Sequence, residues 1–215
     1  MAFQIPGGFY LSLDGSDGCG KTTQYDMLKN RLISDGLDII TMREPGSTGL
    51  GNRIREIVLH DESVSYSIDV EMMLYQVARR DNFEKNVLPA LKEGKLVLAD
   101  RSFDATLAYQ GYGGGVDKEG INWLSNYATQ GRSPDLSFIL DIEAEKGLER
   151  ISGESPDKIE SRPLEFHERV AEGFREIARD NKERCVLVPY LDGKIQETHD
   201  ELYRITKERI ISKLG

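Results

Sequence analysis

The sequence predicts an α/β fold, a parallel sheet covered by helices on both faces, and two observations carry that expectation. Short apolar runs rich in Val, Ile and Leu alternate with longer amphipathic stretches, the order produced when each strand is followed by a crossover helix. A glycine-rich turn separates the first apolar run from the first amphipathic stretch, which places a sharp bend at a strand-to-helix junction.

The elements follow in order, each strand bounded by charge, Gly or Pro. Phe9–Asp14 is a strand closed by Gly15, and Lys21–Ser34 a helix after the glycine-rich turn. Leu37–Met42 follows Gly36 as the second strand, with a helix at Gly51–His60 and a long one at Asp69–Glu93. Lys95–Asp100 follows Gly94 as the third strand, before a helix at Ile121–Gln130. Asp135–Asp141 follows Pro134 as the fourth, with helices at Glu143–Ser152 and Pro163–Lys182. Cys185–Pro189 ends on its own proline, and Gln196–Leu214 is helical with Leu202, Ile205, Ile210 and Ile211 along it. Gly111-Tyr112-Gly113-Gly114-Gly115 is expected to be too flexible for a helix interior and to shape an opening beside a pocket. Ser152-Gly153-Glu154-Ser155-Pro156-Asp157-Lys158 is polar and charged and reads as a mobile lid.

The 215 residues suit one domain with one sizeable core. Lys+Arg 28 against Asp+Glu 37 gives a net charge of −9, which disfavours duplex nucleic acid as main partner but leaves small anions open to a local pocket. Cys19 and Cys185, the only cysteines, are far apart and not spaced as metal ligands, as fits a reducing compartment. No apolar run approaches the roughly 20 residues of a membrane span. The start Met1-Ala2-Phe3-Gln4-Ile5-Pro6 lacks a basic stretch and a long apolar run, so a cytoplasmic location is expected.

Gly15-Ser16-Asp17-Gly18-Cys19-Gly20-Lys21-Thr22 matches G-x-x-x-x-G-K-[ST] between a strand and a helix, the context in which that spacing cradles phosphate. Its glycines let backbone N–H groups point inward at phosphate oxygens, and the positive end of the following helix favours the same anion. Lys21 suits the β- and γ-phosphates, and Thr22 offers a hydroxyl to Mg²⁺. Residues Gly15, Ser16, Asp17, Gly18, Cys19, Gly20, Lys21, Thr22 and Thr23 are therefore the candidate ATP site. A GTPase switch is disfavoured, because the nearest counterpart of Asn-Lys-x-Asp is Asn181-Lys182-Glu183-Arg184, without the aspartate.

Further blocks narrow the class: Arg43-Glu44-Pro45-Gly46, Leu50-Gly51-Asn52-Arg53-Ile54-Arg55, Ala78-Arg79-Arg80, Asp100-Arg101 with Leu107-Ala108-Tyr109-Gln110-Gly111, Pro134-Asp135-Leu136, and Leu164-Glu165-Phe166-His167. In this order, over nearly the whole chain, they resemble the thymidylate kinases. The resemblance implies a three-layer P-loop kinase fold with a five-stranded parallel sheet, usually dimeric. It also implies transfer of the γ-phosphoryl group of ATP, with Mg²⁺, to dTMP in dTTP synthesis.

Asp100-Arg101 ends a strand, where ligands of open α/β sheets gather. Arg101 offers a planar fork for the acceptor phosphate, and Asp100 either organises Mg²⁺ or holds Arg101. By the resemblance Arg55, preferred over Arg53, also meets the acceptor phosphate, and Glu44-Pro45 holds a rigid loop, with an unusual Pro isomer as one means. Tyr75 and Arg79, four apart and so on one helix face, resemble the positions that stack on thymine and bond a base carbonyl. Thr106 is expected at the base edge, Tyr109 under the sugar against a 2′-hydroxyl, and Gln110 in the base pocket. Asp17 corresponds to an acidic residue that meets the sugar 3′-hydroxyl or the metal's water shell.

Two departures from the family pattern stand out. Relatives supply a further arginine either in the phosphate loop, where this chain has Gly18, or from a lid, where it has Arg150 and Lys158 near residues 150–162, with Arg162 at the exit. Arg150 and Lys158 are therefore the candidate lid cations. Ser102 replaces the tyrosine often found after Asp-Arg. The alternatives are a related nucleoside-monophosphate or deoxynucleoside kinase with another acceptor, and a non-catalytic nucleotide-binding protein.

Overall fold

The computed structural model describes residues 4–152 and 156–214. Five strands form one sheet in the order β2-β3-β1-β4-β5: β1 (Phe9–Gly15), β2 (Ile39–Arg43), β3 (Leu96–Asp100), β4 (Leu136–Asp141) and β5 (Cys185–Pro189). Every neighbouring pair is parallel, with Leu13 of β1 beside Asp100 of β3 and Phe138 of β4. The order reverses at β1, and such switch points open a crevice at the carboxyl ends of the strands.

The period of two along β1 assigns its faces. Phe9, Leu11 and Leu13 pack with Leu28 and Leu32 of α1 (Lys21–Ser34) and with Leu202 and Ile210 of α9 (Ile195–Leu214). Tyr10 faces the other way, against Phe83, Val87 and Leu91. On that second face α8 (Leu164–Asp180) sets Phe166, Val170 and Phe174 against Tyr109 and Ile139. The same cluster takes Ile54 and Val58 from α2 (Gly49–Leu59) and Ala78 from α3 (Ile68–Asn82). Helices thus cover both faces, as expected.

The strands and helices lie close to their sequence-based positions, with two revisions. The long helix expected over Asp69–Glu93 is helical throughout its centre, but α3 widens into a π-turn at Phe83–Val87 before α4 (Leu88–Lys92). The glycine run is corrected more substantially. A helix runs from α5 (Phe103–Thr106) through a π-turn at Leu107–Gly113, so Gly111 and Gly113 lie inside helix. Packing is the reason: a Cβ on Gly113 would stand 2.7 Å from both Phe166 Cε2 and Val170 Cγ2. The chain still borders an open groove there, beside Ile68 and Phe166. The remaining helices are α6 (Lys118–Thr129) and α7 (Ala144–Ile151). Gly153, Glu154 and Ser155 of the expected lid lie outside the described residues.

Candidate active site

At the carboxyl end of β1 the chain turns through Gly15–Gly20 into α1. Gly18 has φ +71, and a Cβ there would lie 2.0 Å from the carbonyl oxygen of Gly147 on α7, so only glycine fits. Helix α1 starts from a left-handed Gly20 with no side-chain cap, which leaves its first N–H groups for an anion. Lys21 Nζ stands 3.6 Å from Asp100 Oδ1 at the end of β3. That oxygen is buried and has no hydrogen-bond partner among the described residues. Asp100 therefore faces Lys21, while the hydrogen bonds that hold Arg101 come from other groups.

Arg101 itself is held from three sides. Its Nη1 donates to Gly15 O at 2.8 Å, and its Nη2 to Asp17 Oδ1 at 2.9 Å and Tyr109 Oη at 3.1 Å. Its backbone is left-handed at φ 72, a conformation that costs about 1–3 kcal/mol without glycine. Ser102 anchors that strain: its N–H donates to Asp14 Oδ1 and its hydroxyl to Asp14 Oδ2, both at 2.9 Å. The same hydroxyl oxygen accepts from Asp104 N at 3.2 Å and caps α5, so the departure at Ser102 has a local structural account. Asp104 in turn receives both Nη groups of Arg184, at 2.6 and 2.9 Å. Burial, and secondarily Asp104, push the Asp14 carboxyl up to about 6. Burial also drives the Tyr109 hydroxyl well above its ordinary value.

The phosphate loop opens into a cavity of about 500 Å³ whose far wall carries Arg55, Tyr75, Arg79, Thr106 and Gln110. Arg79 is 1% exposed and tightly bound: Nε and Nη2 donate to Glu44 Oε2 at 2.8 and 2.6 Å, Nη2 to Thr106 Oγ1 at 2.9 Å and Nη1 to Gln76 Oε1 at 2.8 Å. Glu44 precedes Pro45 through a cis peptide. Arg55 Nη1 donates to Pro45 O at 3.2 Å, and burial together with Arg43 holds its guanidinium below the usual value. Gln110 Nε2 donates to Glu71 Oε1 at 3.0 Å, and Arg162 Nη2 to Glu71 Oε2 at 2.6 Å. Burial raises the Tyr75 hydroxyl.

The two lid cations separate. Arg150 reaches the phosphate loop, with Nε donating to Gly18 O at 2.8 Å and Nη1 bonded to Tyr190 Oη. Lys158 does not line the cavity. Its ammonium donates to the carbonyls of Ile57, Asp61 and Val64 at 3.3, 3.0 and 3.0 Å, because carbonyls at a helix C-terminus form a ready acceptor set for a cation. The expectation of Lys158 over the transferring phosphate is corrected accordingly. Arg53 is exposed and outside the cavity lining, whereas Arg55 lies in it. Ser16, Cys19, Thr22 and Thr23 line the cavity, Cys19 with its thiol buried.

A sequence model of a family described as thymidylate kinase matches residues 13–202. The chain belongs to the thymidylate kinase family. It is 41% identical over 204 residues to the thymidylate kinase of Exiguobacterium sp. AT1b, covering 94% of this chain and 96% of that one. To the thymidylate kinase of Halothermothrix orenii it is 38% identical, covering 95% and 99%. The crystal structure of thymidylate kinase from Ehrlichia chaffeensis superposes with a TM-score of 0.76 at 30% identity, covering 94% of this chain and 99% of that one.

Two parts of the site escape the sequence pattern, one in the cavity wall and one beneath Arg101. Asp157, Ile159 and Glu160 form part of the wall; they fall within the lid expected near residues 150–162, but none of them was expected to line the site. Asp14, Ser102 and Asp104, backed by the half-buried Arg184, form the support beneath Arg101, and no local spacing links Asp14 and Arg184 to the Ser102–Asp104 pair.

Proposed function

We propose that this protein transfers the γ-phosphoryl group of Mg-ATP to dTMP within one P-loop kinase domain, with ATP on the phosphate loop and dTMP against the far wall. The observation that carries the reading is the single cavity shared by Lys21 and Arg150 at one end and Arg55, Tyr75 and Arg79 at the other, with Arg101 and Asp17 between them. An oxygen of the dTMP phosphate bonds to the γ-phosphorus, the bond to the β–γ bridging oxygen breaks, and ADP leaves. That attacking oxygen is already ionised, so catalysis rests on alignment and charge rather than on a base.

Lys21 and Arg150 neutralise the transferring group, and Arg101 and Arg55 hold the acceptor phosphate. Tyr75 stacks on the base, and the second N–H of Arg79 Nη1 serves a base carbonyl. Thr106 and Gln110 shape the base edge, Tyr109 packs under the sugar, and Asp17 meets the 3′-hydroxyl. Thr22 and Asp100 would hold Mg²⁺, and the buried Oδ1 of Asp100, which lacks a hydrogen-bond partner among the described residues, suits that role. The ion would add positive charge at the phosphates.

The reading extends to a homodimer in the cytoplasm. Val70, Met73 and Val77 on α3 and Trp123 and Tyr127 on α6 are exposed, with the last two rings stacked at 5.8 Å, and such an apolar face suits a second copy. No helix among the described residues is long and apolar enough to cross a membrane.

The test is a phosphoryl-transfer assay with Mg-ATP against dTMP, dUMP, dCMP, dGMP and AMP in parallel. Highest kcat/KM for dTMP supports the reading. A different preferred acceptor overturns the base-pocket assignment, and ATP binding without turnover overturns the kinase assignment.

A further inference from the structure

We infer that Lys158 is a positioning residue for the acceptor nucleotide: it fastens the turn 157–161 to the C-terminal end of α2 and so sets one wall of the dTMP half of the cavity. The inference rests on the acceptor-site reading given above and concerns a residue whose chemistry at first sight suits the donor phosphates.

The ammonium carries three protons, and the three carbonyls of Ile57, Asp61 and Val64 receive them at 3.3, 3.0 and 3.0 Å. In this arrangement none is left for a phosphate. The backbone adds a fourth link, with Lys158 N donating to Leu59 O at 3.0 Å. The acceptors are the last carbonyls of α2 and of the loop after it, which the helix itself cannot satisfy, and the negative end of the helix favours the positive charge. Tyr66 completes the seat: its ring centroid is 4.3 Å from Nζ, and its hydroxyl donates to Ile57 O and Val58 O, both at 3.1 Å.

What this seat holds is a compact unit. Asp157 Oδ1 accepts from the N–H groups of Ile159 and Glu160 at 2.8 and 2.9 Å, and Asp157 O from Ser161 N at 2.9 Å. A turn braced in this way moves as one piece when its anchor is lost. Asp157, Ile159 and Glu160 line the cavity together with Leu59, Arg55 and Tyr75, and Ile159 is buried in the cluster that holds Ile54 and Val58 of α2. Lys158 therefore acts through the turn it fixes, and the substrate that feels its loss is the one bound beside α2.

Lys158→Met keeps the aliphatic stem and removes the donors, while Lys158→Arg keeps a cation at the helix end. Calorimetric titration of the full-length protein with dTMP and, separately, with ATP is paired with steady-state kinetics and a thermal melt. The Met variant is expected to weaken dTMP binding and raise its KM on the order of tenfold, the scale of losing a partly buried cation at a helix C-terminus. Its ATP affinity and its kcat at saturating substrates should stay within about twofold, and the Arg variant should recover most of the dTMP affinity. A fall in kcat with dTMP affinity unchanged overturns the inference, as does equal weakening towards both nucleotides. If the wild type binds no dTMP, the acceptor-site reading fails. If the wild type binds it and the Met variant binds it equally well, the inference alone fails. Should the Met variant fold poorly, Lys158→Gln reads the same two affinities.

Discussion

Arg101 and Asp17 form an ion pair at 2.9 Å that ties the phosphate loop to the end of β3. Tyr109 Oη closes the triangle by donating to Asp17 Oδ2 at 2.9 Å. Asp17→Asn removes the charge while keeping the shape. Arg101 retains its bonds to Gly15 O and Tyr109 Oη but loses the negative charge opposite its guanidinium. We expect kcat to fall by up to about 100-fold, the low end of the loss when a donor aimed at the transferring group is mispositioned, with ATP KM little changed. Steady-state kinetics with both substrates varied check this, and an unchanged kcat would remove Asp17 from the link between the two halves of the cavity.

Glu44 and Arg79 make the second such pair, at 2.6 Å and nearly without solvent. Breaking one side leaves a buried charge alone, which costs about 3–5 kcal/mol. Arg79→Met should therefore destabilise by about that amount and also raise dTMP KM. Adding Glu44→Gln should recover part of the stability and none of the dTMP affinity, because the donor to the base is still missing. Urea unfolding of the single and double variants measures the first effect, and substrate titration the second.

The parts of this structure that were legible in the sequence are those fixed by local pattern. Five strands showed because each is a short apolar run with a breaker beside it, and the phosphate loop showed because eight consecutive residues carry its geometry. The continuation of the helix from Phe103 through Gly111–Gly113 did not show, because helix propensity penalises glycine by about 1 kcal/mol while the decisive fact is the lack of room beside Phe166 and Val170. Arg55 and Tyr75 were traceable through the family pattern, and both line the cavity. Lys158 was misplaced for a different reason: its carbonyl partners lie 94 to 101 positions away, and no local rule says where a long ammonium stem ends.

Gly113→Ala tests the packing argument for the glycine run. The added methyl would meet Phe166 Cε2 and Val170 Cγ2 at 2.7 Å, closer than carbon atoms approach, so α8 or the π-turn has to shift. Overpacking of this kind costs about 1–3 kcal/mol. Gly115→Ala differs in mechanism, since nothing lies within 4 Å of its Cβ and only its φ of +78 resists. We expect Gly113→Ala to lower Tm and to weaken activity, because the turn also carries Tyr109 and Gln110. An unchanged Tm would mean that this helix is not held by its contact with α8.

The buried carboxyl of Asp14 gives the protein a pH dependence with a definite sign. Its value rises from an ordinary 3.8 to about 6, first through burial and next through the neighbouring Asp104, while the Ser102 donors and Arg101 oppose the rise. Between those two values the folded chain holds a proton that the unfolded chain has lost, so this group makes stability fall as pH rises from about 4 to about 6, and adds no further change above that. The displacement is worth about 3 kcal/mol. Carboxylates with the opposite displacement, Asp35 held down by Tyr203 and Lys207 and Asp81 by Lys85 and Thr48, contribute stability above their unfolded values that is lost as pH falls. They act equally in wild type and in Asp14→Asn, and cancel in the difference. The stability of wild type relative to Asp14→Asn should therefore decline by about 3 kcal/mol between pH 4 and pH 7, read by urea unfolding at half-unit intervals. A difference that is flat across that range would show that Asp14 is ionised throughout, with Ser102 and Arg101 outweighing its burial.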